Sequence, residues 1–115
     1  MAELLRANGG RTKVFPIDPE RNNGFSISEL RGFVRGDFEI LYLDQHQCLV
    51  CHDVLSEDYN SLDFNQAATD IFSDSPEFVF GWKVNGDALI ASIPAEIPHV
   101  PDRPNQRYLR EHGGA

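Results

Sequence analysis

The chain has 115 residues, of which 41% are hydrophobic and 24% charged, the make-up of one globular domain with its own core rather than of a disordered chain. No apolar run approaches the roughly 20 residues of a membrane span. The start, Met1-Ala2-Glu3-Leu4-Leu5-Arg6, lacks the basic and apolar regions of a secretory signal, so a cytoplasmic protein with reduced thiols is expected.

Net charge is -8 and unevenly spread. Residues 1–35 hold six cations and four anions; residues 36–93 hold one cation, Lys83, and eleven carboxylates; residues 94–115 hold three of each. The acidic middle is unfavourable for nucleic acid, which needs Lys and Arg to displace counterions from phosphates. It suits either ordinary solubility or the steering of a basic partner.

Residues 1–10 end in Asn8-Gly9-Gly10 and read as a flexible lead-in to a domain spanning 11–93. Thr12-Lys13-Val14-Phe15-Pro16-Ile17 reads as a short strand, at an edge because Pro16 has no N–H to give a neighbour. Ser26 and Glu29 have the spacing of a capping box, with Phe25 and Leu30 placed as a hydrophobic staple. Ile27, Leu30, Phe33 and Val34 continue at helical period, which predicts a helix over 27–35 stopped by a left-handed Gly36.

From Phe38 the period changes to two. Phe38–Leu43 and Cys48–His52 read as a hairpin around Asp44-Gln45-His46-Gln47. After a polar loop over 53–61, Asp63 is the expected cap of a second helix, with Gln66 as its reciprocal partner and Phe64, Ala67, Ala68 and Ile71 as its apolar stripe.

The runs Phe78–Val84 and Asp87–Ile93 flank Asn85-Gly86, the strongest short hairpin signal, since both central residues of a type I′ turn need positive φ. Residues 94–115, with Pro94, Pro98, Pro101 and Pro104 among polar residues, read as a Pro-rich tail, disordered or peripheral. The expected fold is α+β: a small, mostly antiparallel sheet with two short helices on one face, in the order β-α-β-β-α-β-β.

Residues 13–93 resemble a small family labelled domain of unknown function 3846, found in bacteria, phages and plasmids. The resemblance runs through Lys13-Val14-Phe15-Pro16-Ile17-Asp18-Pro19, Leu30 to Val34 leading into Gly36, and Phe38-Glu39-Ile40. It continues through Leu49-Val50, Asn65-Gln66-Ala67-Ala68-Thr69 and Gly86-Asp87-Ala88-Leu89-Ile90. The chain departs from the family at Arg35, where a second glycine is usual, and at His52-Asp53-Val54, where an Asn-Glu pair often follows the strand. The family brings no catalytic residues with it. The resemblance implies a compact accessory protein of mobile-element origin.

Cys48-Leu49-Val50-Cys51-His52 matches the CxxCH pattern of haem attachment, and with His46 it forms a His-x-Cys-x-x-Cys-His set of zinc-ligand types. In a strand, however, residues three apart point to opposite faces and lie about 10 Å apart, too far to share a metal or form a disulfide. The expectation is two ordinary cysteines, with no cofactor and no metal; a metal site on His46, Cys48, Cys51 and His52 is the alternative.

Glu57–Asp63 lacks the glycine and terminal glutamate of a calcium loop. Gly24-Phe25-Ser26-Ile27-Ser28 is not a nucleophile elbow, and Ser26 is better used as a cap. No catalytic set is recognisable. Phe78, Phe80, Trp82 and Val84 would share one strand face, a core surface first and a dimer or ligand face if left uncovered. The expectation is therefore a non-catalytic binding protein with a protein or small-molecule partner. A metalloprotein and an acidic DNA mimic are the alternatives.

Overall fold

The computed structural model describes residues 2–8, 11–20, 24–93 and 95–97. The Ser26–Glu29 pair behaves as its spacing predicts. Glu29 N donates to Ser26 Oγ at 3.1 Å, and Ser26 N donates to Glu29 Oε1 at 2.9 Å. Two amides that the first helical turn would leave unpaired are thereby satisfied. Helix α1, Ile27–Val34, follows, with Leu30 and Val34 buried beneath it. Its stop differs from the expected one: Arg35, not Gly36, takes the left-handed conformation, at φ 62 and ψ 45.

Five strands make one antiparallel sheet: β1 (Ala2–Asn8), β2 (Arg11–Ile17), β3 (Phe38–Tyr42), β4 (Gln47–His52) and β5 (Ala88–Ser92), in the spatial order β2-β1-β5-β4-β3. The α+β class, the antiparallel pairing and the two short helices agree with expectation. Two strands are exchanged, however. The segment expected as a flexible lead-in is β1, with Ala2, Leu4 and Leu5 buried. The segment 78–84 forms no strand, and only a single bridge, Phe64 to Asn85, touches the expected hairpin. One fact explains both differences. β5 already has β1 on one side and β4 on the other, so no ladder position is left for residues 78–84.

Nor do the helices share a face. Along β4, Cys48 and Val50 join the core under α1, whereas Leu49 and Cys51 join the core under α2, Gln66–Ser73. The α1 side adds Leu4, Leu89 and Ala91, and the α2 side adds Leu5, Leu41, Ala88 and Phe72. The central strands β1, β4 and β5 therefore bury side chains on both faces, and β4 is apolar from Cys48 to Cys51 for that reason, whereas the outer strand β2 leaves Val14 and Phe15 exposed. Glu96 and Ile97, which fall in the expected Pro-rich tail, also pack here: Phe25 N donates to Glu96 O at 2.8 Å, and Ile97 is buried. Residues 98–115 lie outside the described residues.

The cap of α2 is Asn65 rather than Asp63. Asn65 is fully buried, and its Oδ1 accepts from Ala68 N at 3.1 Å while its Nδ2 donates to Leu5 O and Gly86 O at 3.0 and 2.9 Å. The backbone carbonyl of Asp63 accepts from Gly86 N at 2.7 Å.

The sheet edges are treated differently. Outside β3, the 75–77 segment covers the edge, since Ser75 Oγ donates to Tyr42 O and Tyr42 N donates to Glu77 Oε1 at 2.8 Å. Lys13 and Pro16 stand on the outer strand β2 itself, and a charge and a missing N–H both discourage strand addition. Among the described residues no helix is long and apolar enough to cross a membrane.

Candidate functional site

The sheet takes the CxxCH residues apart. Cys48 and Cys51 are both buried and free, in separate cores on opposite faces of β4. Burial, helped by the nearby Glu96 carboxylate, pushes the Cys48 thiol up to about 12, so it is neither a thiolate ligand nor a nucleophile near neutral pH. His46 is exposed in the β3–β4 turn, where its amide donates to Asp44 Oδ1 at 2.7 Å. Among the described residues, no three His, Cys, Asp or Glu side chains are grouped so as to hold a metal. The four residues of the metal alternative are thus not brought together.

His52 has a different set of partners. It ends β4 on the α1 side, and its side chain is 3% exposed. Nδ1 lies 3.0 Å from the carbonyl of Val34, the last residue of α1, while Nε2 lies 3.2 Å from Ser56 Oγ and 3.1 Å from Asp58 Oδ1. Ser56 Oγ donates to the same Asp58 oxygen. These hydrogen bonds, from Ser56 first and then His52, hold the exposed Asp58 carboxyl below the usual aspartate range. A serine beside a histidine invites comparison with a nucleophile pair, but here the hydroxyl is directed at a carboxylate rather than at a base.

Beyond Asp58 a single 3₁₀ turn, Tyr59–Ser61, carries the connection onward. Tyr59 is buried, its hydroxyl donates to Lys83 O at 2.8 Å, and the same hydroxyl accepts from Asn85 N at 3.0 Å. Asn85 Nδ2 also reaches Tyr59 O at 3.3 Å. From the other side, Val84 N donates to Thr69 Oγ1 of α2 at 2.9 Å. Residues 83–85 are therefore held between the 3₁₀ turn and α2.

Immediately before them lies the most exposed aromatic group of the described chain. Trp82 N donates to Val79 O at 3.0 Å, closing a four-residue turn with Gly81 at φ 88, the left-handed position for which glycine is used in a type II turn. Both flanks of the turn are braced against α2: the rings of Phe78 and Trp82 meet Phe72 edge-on, at centroid distances of 5.7 and 5.5 Å. Phe80 stands at the tip, 98% exposed, beside Val79 at 60%. The run read from sequence as one strand face thus divides, with Phe78 and Trp82 packed inward and Phe80 presented outward. Gly81 was the available signal, because a glycine between aromatic residues interrupts a strand.

A third feature lies at the end of α1. Asp87, nearly buried, accepts from Arg6 Nη1 and Ala7 N, both at 3.0 Å, and its Oδ2 is 3.6 Å from Arg35 Nε. Ala7, Arg35 and Asp87 border an open cleft of about 240 Å³ that Val34, Leu62, Asp63 and Gly86 also line. Its opposed charges largely neutralise one another. Searches against protein-family models, curated proteins and solved structures return no match for this chain.

Proposed function

We propose that the protein is a non-catalytic interaction domain that docks a protein partner through the Val79–Phe80 turn. The observation that carries this reading is Phe80, fully exposed on a turn whose two flanks are packed against Phe72. Exposing a phenylalanine wastes about 1.5–3 kcal/mol of burial free energy that a partner pocket can recover. Presenting it on a braced turn lowers the ordering cost of association, and aromatic side chains of this kind commonly anchor interfaces.

Charge adds to the reading. Residues 36–93, which contain the turn, hold eleven carboxylates against Lys83 alone, so the pocket that receives Phe80 is expected to be rimmed by Lys and Arg. The same charge sign disfavours nucleic acid. An accessory protein of mobile-element origin, as the family resemblance implies, fits a small binder without catalytic residues. Two cysteines that remain unpaired fit a cytoplasmic location.

The test compares affinity enrichment by the wild-type protein and by Phe80→Ala at low and high salt, with mass spectrometry of what each retains. A protein held by the wild type, weakened by salt and reduced at least about tenfold by the substitution is the expected result. Identical retention by both forms overturns the proposal. If instead the wild type is a dimer and Phe80→Asp is a monomer, the turn belongs to a second copy of the chain.

A further inference from the structure

We propose that His52, Ser56 and Asp58 form a proton-controlled latch that fastens the 53–62 loop, and with it the base of the Phe80 turn, to the end of α1. The latch itself stands on geometry alone; only its consequence for docking rests on the function proposed above. The carbonyl of Val34 can only accept, so Nδ1 carries a proton and donates to it. That fixes the ring, and the state of Nε2 decides what holds Asp58.

With a proton on Nε2, the imidazolium donates to Asp58 Oδ1, and the Ser56 hydroxyl donates to the same carboxylate. The positive ring also lies at the C-terminal end of α1, where the helix dipole favours a cation. When that proton leaves to solvent, a lone pair faces Asp58 across 3.1 Å. The Ser56 hydroxyl, 3.2 Å from Nε2, then turns to donate to the ring, and Asp58 loses both side-chain donors at once. One proton thus moves a hydroxyl and frees a carboxylate that is already 58% exposed.

The other charged groups near the ring are engaged elsewhere. Asp53, next in the chain, accepts from Leu55 N; Asp37, before β3, pairs with Arg31; Asp87, before β5, takes Arg6 and Arg35. The Tyr59 ring is 6.4 Å away by centroids, and its hydroxyl is committed to Lys83 and Asn85. Asp58 is therefore the carboxylate that senses the ring. Its position is passed on through the 3₁₀ turn, since the Asp58 carbonyl accepts from Ser61 N and Oγ at 3.0 and 2.7 Å, and Tyr59 fixes residues 83–85.

The latch is closed while Nε2 holds its proton and opens once rising pH removes it. Hydrogen exchange of peptides covering 53–62, corrected for the intrinsic pH dependence of exchange, reads this in the free protein. Wild-type exchange there should be at least about fivefold slower near pH 5.5 than near pH 8, with β5 peptides unchanged. In Asp58→Asn the carboxamide can donate to a neutral Nε2, so the difference should vanish. Equal protection at both pH values in the wild type, or the same pH response in Asp58→Asn, overturns the latch. The readout needs no partner, so failure of the docking proposal leaves it standing.

Discussion

The imidazole of His52 lies directly over the Cα of Gly36, so closely that a β-carbon there would sit 2.7 Å from Cε1. The buried ring is held at both nitrogens and cannot withdraw. Gly36→Ala should therefore cost about 1–3 kcal/mol, the usual range for forced overpacking. Gly32, inside α1, is the internal control, since a β-carbon there meets nothing within 4 Å. Gly32→Ala should stabilise by about 0.5–1 kcal/mol through helix propensity alone. Urea denaturation of the two variants checks the opposite signs.

What the sequence disclosed follows from how far each interaction reaches. Ser26 and Glu29 contact each other three residues apart, so α1 was readable from nine residues. The β3–β4 hairpin was readable for the same reason, and so was the opposite orientation of Cys48 and Cys51. β1 escaped because its partners, β2 and β5, place Leu4 opposite Phe15 and Leu89, and the second of these is far along the chain. The Gly9-Gly10 dipeptide between Asn8 and Arg11, which pair across the hairpin, was the local clue. Asn85-Gly86 misled because the need of Gly86 for positive φ, 83 here, is real but serves a close approach to Leu62 rather than a hairpin. The latch was illegible because a histidine in a CxxCH pattern carries no mark of the serine and aspartate that follow it four and six residues on.

Arg35 is the only non-glycine residue at positive φ among the described residues. For an L-residue that conformation costs about 1–2 kcal/mol, and the long 3.6 Å contact of the exposed Arg35 side chain with Asp87, which Arg6 already pairs at 3.0 Å, returns little of it. Arg35→Gly is accordingly expected to raise the urea midpoint, with a net gain of about 0.5–1 kcal/mol. A loss of stability would show that the Arg35 side chain contributes more than its exposed geometry implies.

Cys48 predicts both reactivity and alkaline behaviour. Buried in one core as Cys51 is in the other, it should resist thiol reagents in the native protein, and both thiols should react with them only after denaturation. Unfolding returns Cys48 to its ordinary value of 9.0, whereas the folded thiol stays protonated to about 12. Between those values the unfolded chain binds fewer protons, so its share of stability is intact below pH 9 and declines as pH rises through the interval. Cys48→Ala should flatten that decline at a cost of about 1 kcal/mol near neutrality, measured by denaturation across the alkaline range.

Asn65 joins four separate parts of the fold. Its Oδ1 accepts from Ala68 N in α2 and from Thr12 Oγ1 in β2, while its Nδ2 donates to Leu5 O in β1 and Gly86 O before β5. Asn65→Ala removes a helix cap and leaves buried carbonyls without their donor, so a loss of about 2–4 kcal/mol is expected. Asn65→Asp should be at least as damaging, because an acceptor would then face the carbonyls of Leu5 and Gly86. Thermal melts of the two variants decide whether the amide donor matters as much as the cap.

Phe72 and Phe80 should separate stability from function. Phe72 is buried under α2 and braces both flanks of the turn, so Phe72→Ala should cost about 3–5 kcal/mol. Phe80→Ala, at a side chain that touches almost nothing, should leave the melting curve within about 0.5 kcal/mol of wild type. If the turn is a docking anchor, only the second variant loses a partner while keeping its fold. A Phe80→Ala protein that melts early would mean that Phe80 packs within the folded chain, and the basis for reading it as a presented anchor would be gone.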